Sequence, residues 1–352
     1  MSKIKIAIVG VGSISTCHIE GYLKNPNAEI YAFCDINEAR LKEKGEKYGI
    51  TRLYTDEAKM LEELPELDAV SVCTWNSAHA PCTIMALNAG KHVLCEKPMA
   101  TTVEDAIAMK EAAEKNGKLL AIGFVRRFQK ATDLVLDLVK NGDIGEMYYA
   151  KAAYIRRCGH PGGWFGDKSR SGGGPLIDLG VHVIDLVRYI MGNPKPVSVY
   201  GASYAKLGQR EDIKAAKAYS SADKSDKDIC DCEDLATALI RFDNGATLAA
   251  EMSFSLNSGG EEGGVRIFGT KSGVKIDDGV SLYGSSLGHL TDTVYGNVGE
   301  NGNEPFDREM AHFVDCVQNG TQCINPAEDG VELMKILTAI YRSAETGHEV
   351  VI

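Results

Sequence analysis

"IKIAIVGVGSISTCHIEGYL", residues 4–23, decides the fold. Ile4, Ile6, Ala7, Ile8 and Val9 make a short apolar run that stops at Gly10, which reads as a buried strand, and the residues from Ser15 onward read as a helix. A strand, a glycine turn and a helix in immediate succession open a βαβ unit, with Gly10-x-Gly12-x-x-Ser15 at the turn. Gly10 permits the tight turn. Gly12 lets an anion approach backbone N–H groups at the helix N-terminus, where the dipole favours negative charge. Ser15 stands where a third glycine is common and is still small enough for close helix-to-strand packing. The turn Gly10, Gly12, Ser13 and Ile14 is therefore a candidate cradle for a dinucleotide pyrophosphate.

Working outward, "EIYAFCD", "AVSVCTW", "HVLCEKP" and "LLAIGFV" are further apolar strands, and "ARLKEKGEKYG", "HAPCTIMALNAG" and "TVEDAIAMKEAAEKNG" between them carry helical periodicity ending on glycine. This alternation predicts an α/β Rossmann dinucleotide-binding domain over residues 1–124. Asp35 ends the second strand about twenty residues past the glycines, where a carboxylate accepts from adenosine ribose hydroxyls and repels a 2′-phosphate. NAD is the expected cofactor; Arg40 keeps NADP as the alternative, and the lesser reading of Asp35 is a turn former or helix cap. From residue 125 the pattern changes. A helix "KATDLVLDLVKNG" precedes "MYYAKAAYIRR", "PVSVYGASYA", "DLATALIRFDNG", "ATLAAEMSFS", "GGVRIFGT", "SGVKIDD" and "GVSLYG", with an Asn-Gly hairpin signal at 244–245. Residues 125–352 thus read as an α+β domain with a large, mainly antiparallel sheet, serving substrate binding and oligomerisation. It closes in a helix from Pro326 to Gly347 that is expected to pack back near the domain seam. The charged stretch Lys206 to Glu233 reads as a solvated helix or loop.

Length and composition agree with this division. The chain has 352 residues, 44% hydrophobic and 25% charged, which suits a soluble protein of two domains. A net charge of −11 argues against a nucleic-acid partner. No stretch approaches roughly eighteen consecutive apolar residues, and "MSKIKIAIVG" lacks the pattern of a leader, so a cytoplasmic protein with no membrane partner is expected. The ten cysteines contain no C-x-x-C pair, and the C-x-C at Cys230 and Cys232 is a weak metal signal, so no metal ligand set is expected.

Two further stretches carry chemistry. "GKHVLCEKPMA" puts Glu96, Lys97 and Pro98 directly after a strand, at the carboxyl edge where open α/β sheets bind ligands. A lysine partly desolvated there, beside a positive nicotinamide ring, has its charged form disfavoured and can act as general acid or base. "GGGPLIDLGVHVIDLVRYIMG", residues 172–192, places Asp178 and His182 four apart in an otherwise apolar helix, so carboxylate and imidazole share one face. The residues alone leave two readings: satisfied polar groups of a core, or part of a site.

The glycine turn, "TWNSAH" at 74–79, "EKP" at 96–98, "GFVRRF" at 123–128 and "GGGPLIDLGVHVIDL" at 172–186 together resemble the glucose-fructose oxidoreductase, inositol dehydrogenase and rhizopine catabolism oxidoreductase family, over nearly the whole chain. The resemblance implies that Lys97, Asp178 and His182 converge on a substrate hydroxyl beside the nicotinamide. It implies that the three glycines let the chain approach the cofactor. Thr74, Trp75, Asn76 and His79 would line the nicotinamide half, with Trp75 standing where such proteins carry proline, and Glu96 would lie near its ribose. Arg126 would face the substrate and Arg127 serve cofactor or structure, while Arg156, Arg157, His160 and Trp164 are candidates for the pocket. His18 and His92 read as packing or surface histidines.

The implied activity is reversible hydride transfer between NAD and a secondary alcohol of a sugar, sugar derivative or cyclitol, with Lys97 or His182 accepting the proton and Asp178 orienting them. A small polyhydroxylated substrate and a homodimer or homotetramer are the implied partners. Two rivals stay open. One is glycoside cleavage by transient oxidation and elimination with a recycled, tightly held NAD; the other is a nucleotide-sensing regulator.

Overall fold

The computed structural model describes residues 2–210, 212–214, 219–225, 227–260 and 262–352. Along the first part of the chain β1 (Ile4–Val9), α1 (Ser15–Lys24), β2 (Ala28–Cys34), α2 (Glu38–Tyr48), β3 (Leu53–Tyr54), α3 (Glu57–Glu63), β4 (Ala69–Val72), α4 (Asn76–Asn88), β5 (His92–Cys95), α5 (Val103–Asn116) and β6 (Leu120–Ile122) alternate. The strands form one parallel sheet in the order β3-β2-β1-β4-β5-β6. Ile6, Ala7 and Ile8 expose no surface, as expected of a parallel strand covered on both faces. The strand order reverses between β1 and β4, and the loops at their carboxyl ends are where ligands bind in open α/β sheets.

The chain continues through α6 (Lys130–Lys140), β7 (Met147–Ile155), α7 (Lys168–Ser171) and a π-helical turn, Leu176–Gly180, that runs into α8 (Val181–Ile190). Then come β8 (Pro196–Tyr204), β9 (Leu235–Phe242), β10 (Thr247–Ser253), β11 (Glu262–Gly269), β12 (Gly273–Ile276), β13 (Val280–Ser286) and β14 (His289–Tyr295). After α9 (Glu304–Asn319) and α10 (Ala327–Thr346), β15 (Val350–Val351) closes a nine-stranded sheet, β14-β13-β12-β11-β7-β10-β9-β8-β15. Only β7 and β10 pair in parallel. Its register lays Val199, Ile240, Leu248, Ala150, Ile267 and Val274 side by side across six strands, all at most 2% exposed. One residue on, Tyr200 and Leu239 point the other way and are 55% and 47% exposed. One face makes the core of this part. The other is open to solvent along those strands.

The compact units divide the chain differently from the expected 1–124 and 125–352. The first comprises Met1–Val125 and Gly302–Val331; the second comprises Arg126–Asn301 and Glu332–Ile352. The reason is α9. Met310, Phe313 and Val314 join Ile6, Ile19 and Tyr22 in one core, and a Cβ on Gly21 of α1 would fall 2.7 Å from Met310 Cγ, so the two helices pack closely. The stretch Lys206 to Glu233 also differs from expectation. Residues 211, 215–218 and 226 lie outside the described residues; the rest is loop, but it is not merely solvated. Asp228 accepts from Gly163 N–H at 2.5 Å and Asp231 from Lys168 N–H at 2.8 Å, while Ser221 N–H donates to Pro161 C=O. These bonds fasten it onto the 161–168 loop. No helix among the described residues is long and apolar enough to cross a membrane.

Candidate active site

The glycine turn is built for a close crossing. Gly10 has φ +84°, and a Cβ there would lie 2.7–2.8 Å from the backbone of Cys73 and Thr74, where the β4–α4 loop passes over it. Only glycine satisfies both the conformation and the space. A Cβ on Gly12 would meet nothing within 4 Å, so there is open space beside the start of α1. Among the described residues no side chain caps that helix, half-exposed Ile14 standing at its N-cap and exposed Ser13 before it. Ser15 is fully buried and donates from its hydroxyl to Gly12 C=O at 2.7 Å, so serine at the third glycine position braces the turn. Asp35 accepts from Val11 N–H at 2.7 Å and from Asn37 N–H at 2.8 Å, one bond to each oxygen. The carboxylate is thus a turn former and keeps lone pairs for ribose hydroxyls. The cap of α2 is Asn37, which accepts from the N–H of half-exposed Arg40. This open space, helix end and carboxylate fit the pyrophosphate and ribose of NAD.

At the end of β5 the structure separates three neighbours. Glu96 is 5% exposed, Lys97 half-exposed and Pro98 buried. Glu96 accepts from Lys97 N–H at 3.0 Å, and its Oε1 lies 2.9 Å from His18 Nε2; His18 Nδ1 lies 2.7 Å from Ser71 Oγ. Burial, the largest influence, raises the Glu96 carboxyl, but His18 and Lys97 outweigh it and hold it below the ordinary carboxylate value. His18, read from sequence as a packing or surface residue, is therefore the partner that fixes Glu96, and no local pattern signalled it. Gly123 belongs to the same device, since a Cβ there would fall 3.2 Å from Glu96 Cα and Cδ. His79 is 1% exposed, with Nδ1 at 2.7 Å from Pro98 C=O and Nε2 at 3.2 Å from Thr74 C=O. It braces the β4 and β5 loops against each other. Burial, above all, lowers its pKa. Thr74 and Trp75 stay half-exposed on this edge and Asn76 is buried at the start of α4.

In the second unit the helix separates its polar residues by exposure. From Gly173 to Arg188 every residue is buried except Asp178 and His182, which are half-exposed. Asp185, on the same helix, is a satisfied core group: Arg127 Nε and Nη2 donate to its two oxygens at 2.9 and 2.5 Å, and both residues are 1% exposed. Arg127 is thereby structural. The glycines before the helix differ from the expectation that they admit the cofactor. A Cβ on Gly173 would collide with the Tyr341 hydroxyl and one on Gly174 with the Glu233 carbonyl, so their smallness serves this chain's own packing. The Glu233 carboxylate accepts from Gly174 N–H at 2.9 Å, Leu176 N–H at 3.2 Å and the Tyr341 hydroxyl at 2.8 Å. It thereby holds the first turn of the segment that carries Asp178. Sequence reasoning missed Glu233 and Tyr341, which lie far away along the chain.

Arg126 and Arg156 come together on one aromatic ring. Their guanidinium carbons stand 5.0 and 5.2 Å from the centroid of Tyr154, a residue the sequence did not single out. Burial lowers the Arg126 pKa. Trp164 is half-exposed and stacks on Phe165, with centroids 4.1 Å apart. His160 is 1% exposed and accepts from Gly162 N–H, so it serves its own loop; Arg157 is exposed. Lys97 belongs to the first unit and Asp178, His182, Arg126, Arg156 and Trp164 to the second.

Comparison with known proteins agrees with this fold. Residues 4–124 match the model of an oxidoreductase family with an NAD-binding Rossmann fold, and residues 137–352 match that family's C-terminal alpha/beta domain. The D-glucoside 3-dehydrogenase of Escherichia coli (strain K12) is 35% identical over 352 residues, covering 99% of this chain and 97% of the relative. The myo-inositol 2-dehydrogenase of Thermotoga maritima is 34% identical over 189 residues, 54% of this chain and 55% of the relative. Among solved structures, the aldose-aldose oxidoreductase from Caulobacter crescentus, complexed with glycerol, superposes with a TM-score of 0.82 at 29% identity, covering 99% and 100% of the two chains. The chain belongs to the glucose-fructose oxidoreductase, inositol dehydrogenase and rhizopine catabolism family of NAD-binding oxidoreductases.

Proposed function

We propose that this protein oxidises a secondary hydroxyl of a glucoside, at position 3 of the sugar ring, and that Lys97, Asp178 and His182 handle the proton. The observation that carries this reading is the helix on which only Asp178 and His182 break a buried run. Helices hide polar groups at a cost, and a carboxylate and an imidazole offered together suit an exchange of protons with a bound hydroxyl. NAD, when bound, supplies the acceptor for the hydride leaving the carbinol carbon. Lys97 or His182 takes the hydroxyl proton and Asp178 orients the imidazole. Arg126, Arg156 and Tyr154 offer donors for the remaining hydroxyls of a polyhydroxylated ring. Support for position 3 is the name of the relative that matches over nearly the whole chain.

The test is formation of reduced nicotinamide with NAD⁺ across alkyl glucosides, free aldoses and cyclitols, followed by carbon NMR of the product. A carbonyl at C3 of a glucoside is expected. A carbonyl elsewhere, or turnover of a cyclitol alone, contradicts the substrate assignment; cleavage of the glucoside without added NAD⁺ establishes the recycling enzyme instead.

Two further features belong to this reading. The open face around Tyr200 and Leu239 pairs with a second copy of the chain, because an exposed aromatic and aliphatic face on a broad sheet is a liability when left bare. Light scattering that returns a monomer at micromolar concentration contradicts it. The protein works in the cytoplasm, a reading supported by its ten free cysteines; localisation of a tagged chain outside the cytoplasm contradicts that.

A further inference from the structure

Away from the residues discussed so far, α9 and the loop after it bring together three side chains that the proposed reaction does not use. His312 and Cys316 stand four apart on one face of α9. Cys323 returns to them after the helix stops at Gly320. One ligand atom from each, an imidazole nitrogen and two sulfurs, lies within 4.8 Å of the others, and this is the one such trio of His, Cys, Asp or Glu among the described residues. His312 Nε2 is 3.4 Å from Cys316 Sγ.

We infer that His312, Cys316 and Cys323 form a structural site for a thiophilic d10 cation of the Zn²⁺ class, which fastens the 320–325 loop to α9. Ligands roughly 2.0–2.3 Å from a tetrahedral ion stand about 3.3–3.8 Å apart, so the trio needs only a small inward movement. Two sulfurs and an imidazole select Zn²⁺ over Mg²⁺ or Ca²⁺, which take oxygen ligands. The surroundings are already arranged. Asp315 accepts from Asn319 and Thr321 on either side of the turn, which sets the path by which Cys323 comes back. Asn325, whose Oδ1 lies 3.1 Å from Cys323 Sγ, donates from Nδ2 to Ile122 C=O at 2.7 Å, so the loop is anchored to β6 as well. Ile324 N–H donates to His312 Nε2 at 3.1 Å, a bond that an ion on that nitrogen displaces. Cys316 is buried while His312 and Cys323 are half-exposed, which leaves a route from solvent.

The experiment uses the full chain, reduced and stripped with chelator, and titrates Zn²⁺ against a chromophoric chelator. One equivalent binds the wild type; Cys316→Ser and Cys323→Ser each weaken it on the order of 100-fold or more, and Cys230→Ser, which removes an exposed thiol, leaves it unchanged. Co²⁺ in the unaltered chain gives tetrahedral d–d bands and thiolate charge transfer, a readout independent of whether a variant folds. Absence of stoichiometric binding, binding that survives Cys323→Ser, a Co²⁺ spectrum without thiolate charge transfer, or a Cys316–Cys323 disulfide found under reducing purification overturns the proposal.

Discussion

Glu96 in the first unit and Glu233 in the second do the same structural task with opposite electrostatics. Each is a carboxylate, Glu96 buried and Glu233 half-exposed, that holds the turn next to a residue proposed to move a proton, Lys97 in one case and Asp178 in the other. Burial, the largest influence on both, raises their pKa values. For Glu96 the His18 ring and the Lys97 charge outweigh burial and the net shift is downward. For Glu233 the partners are neutral, Gly174 and Leu176 N–H groups and the Tyr341 hydroxyl, and the net shift is upward. Hydrogen bonds from neutral groups orient a carboxylate; a basic partner adds a stronger preference for its charged form. The first unit therefore favours the charged form of its carboxylate at the sheet edge, and the second does not.

The largest effect expected is on Lys97, whose neighbour Glu96 keeps its turn in place. Lys97→Ala lowers kcat about 10²–10⁴-fold with the melting temperature and NAD affinity nearly unchanged; steady-state kinetics with calorimetry check it. A comparable fall in stability would mean that Lys97 is part of the scaffold that Glu96 holds. Next comes the scaffold itself. His18→Ala leaves the Glu96 carboxylate buried without its imidazole and costs about 3–5 kcal/mol in denaturant unfolding. Tyr341→Phe, which removes one neutral donor from Glu233, costs about 1 kcal/mol. Equal costs would erase the contrast between the two carboxylates.

Much of this was legible in the sequence, for a physical reason. The β1 turn and α1, the strand ending in Glu96-Lys97-Pro98 and the pair Asp178 and His182 are local patterns, in which spacing alone sets direction. What escaped depends on partners distant in the chain. His18 meets Glu96 across 78 positions, Arg127 meets Asp185 across 58, and Tyr341 meets Glu233 across 108. The glycines at 173 and 174 were readable as a need for space but not as space taken by Tyr341 and Glu233. Strand β14 escaped because its residues are exposed on both faces, without the alternation that marks a half-buried strand. The return of α9 to the first unit escaped because contiguity along the chain is a poor guide to which core a helix joins.

Two smaller effects sharpen the comparison. Gly174→Ala overpacks the Glu233 clamp and costs about 1–3 kcal/mol by denaturant unfolding, with kcat falling more than that of Gly299→Ala, a loop glycine whose Cβ meets nothing and whose φ is not positive. The subtlest lies in pH. The Glu96 pKa is below the ordinary 4.5 in the folded chain, so its ionisation stabilises above 4.5, and that contribution fades as pH falls through the folded value. The Glu233 pKa is above 4.5, so its contribution is present below 4.5 and fades as pH rises through the folded value. Against wild type, Glu96→Gln should lose most at neutral pH and Glu233→Gln should gain ground from acid to neutral, measured as unfolding free energy against pH. Parallel profiles would show that His18 does not distinguish the two sites.

The central claim is hydride transfer from C3 of a glucoside to NAD, and the most direct measurement uses a methyl glucoside carrying deuterium at C3, with the mass of the reduced nicotinamide as readout. One deuterium in the reduced cofactor is the predicted result. Reduced nicotinamide without deuterium, or none formed while glucoside binds, would contradict it.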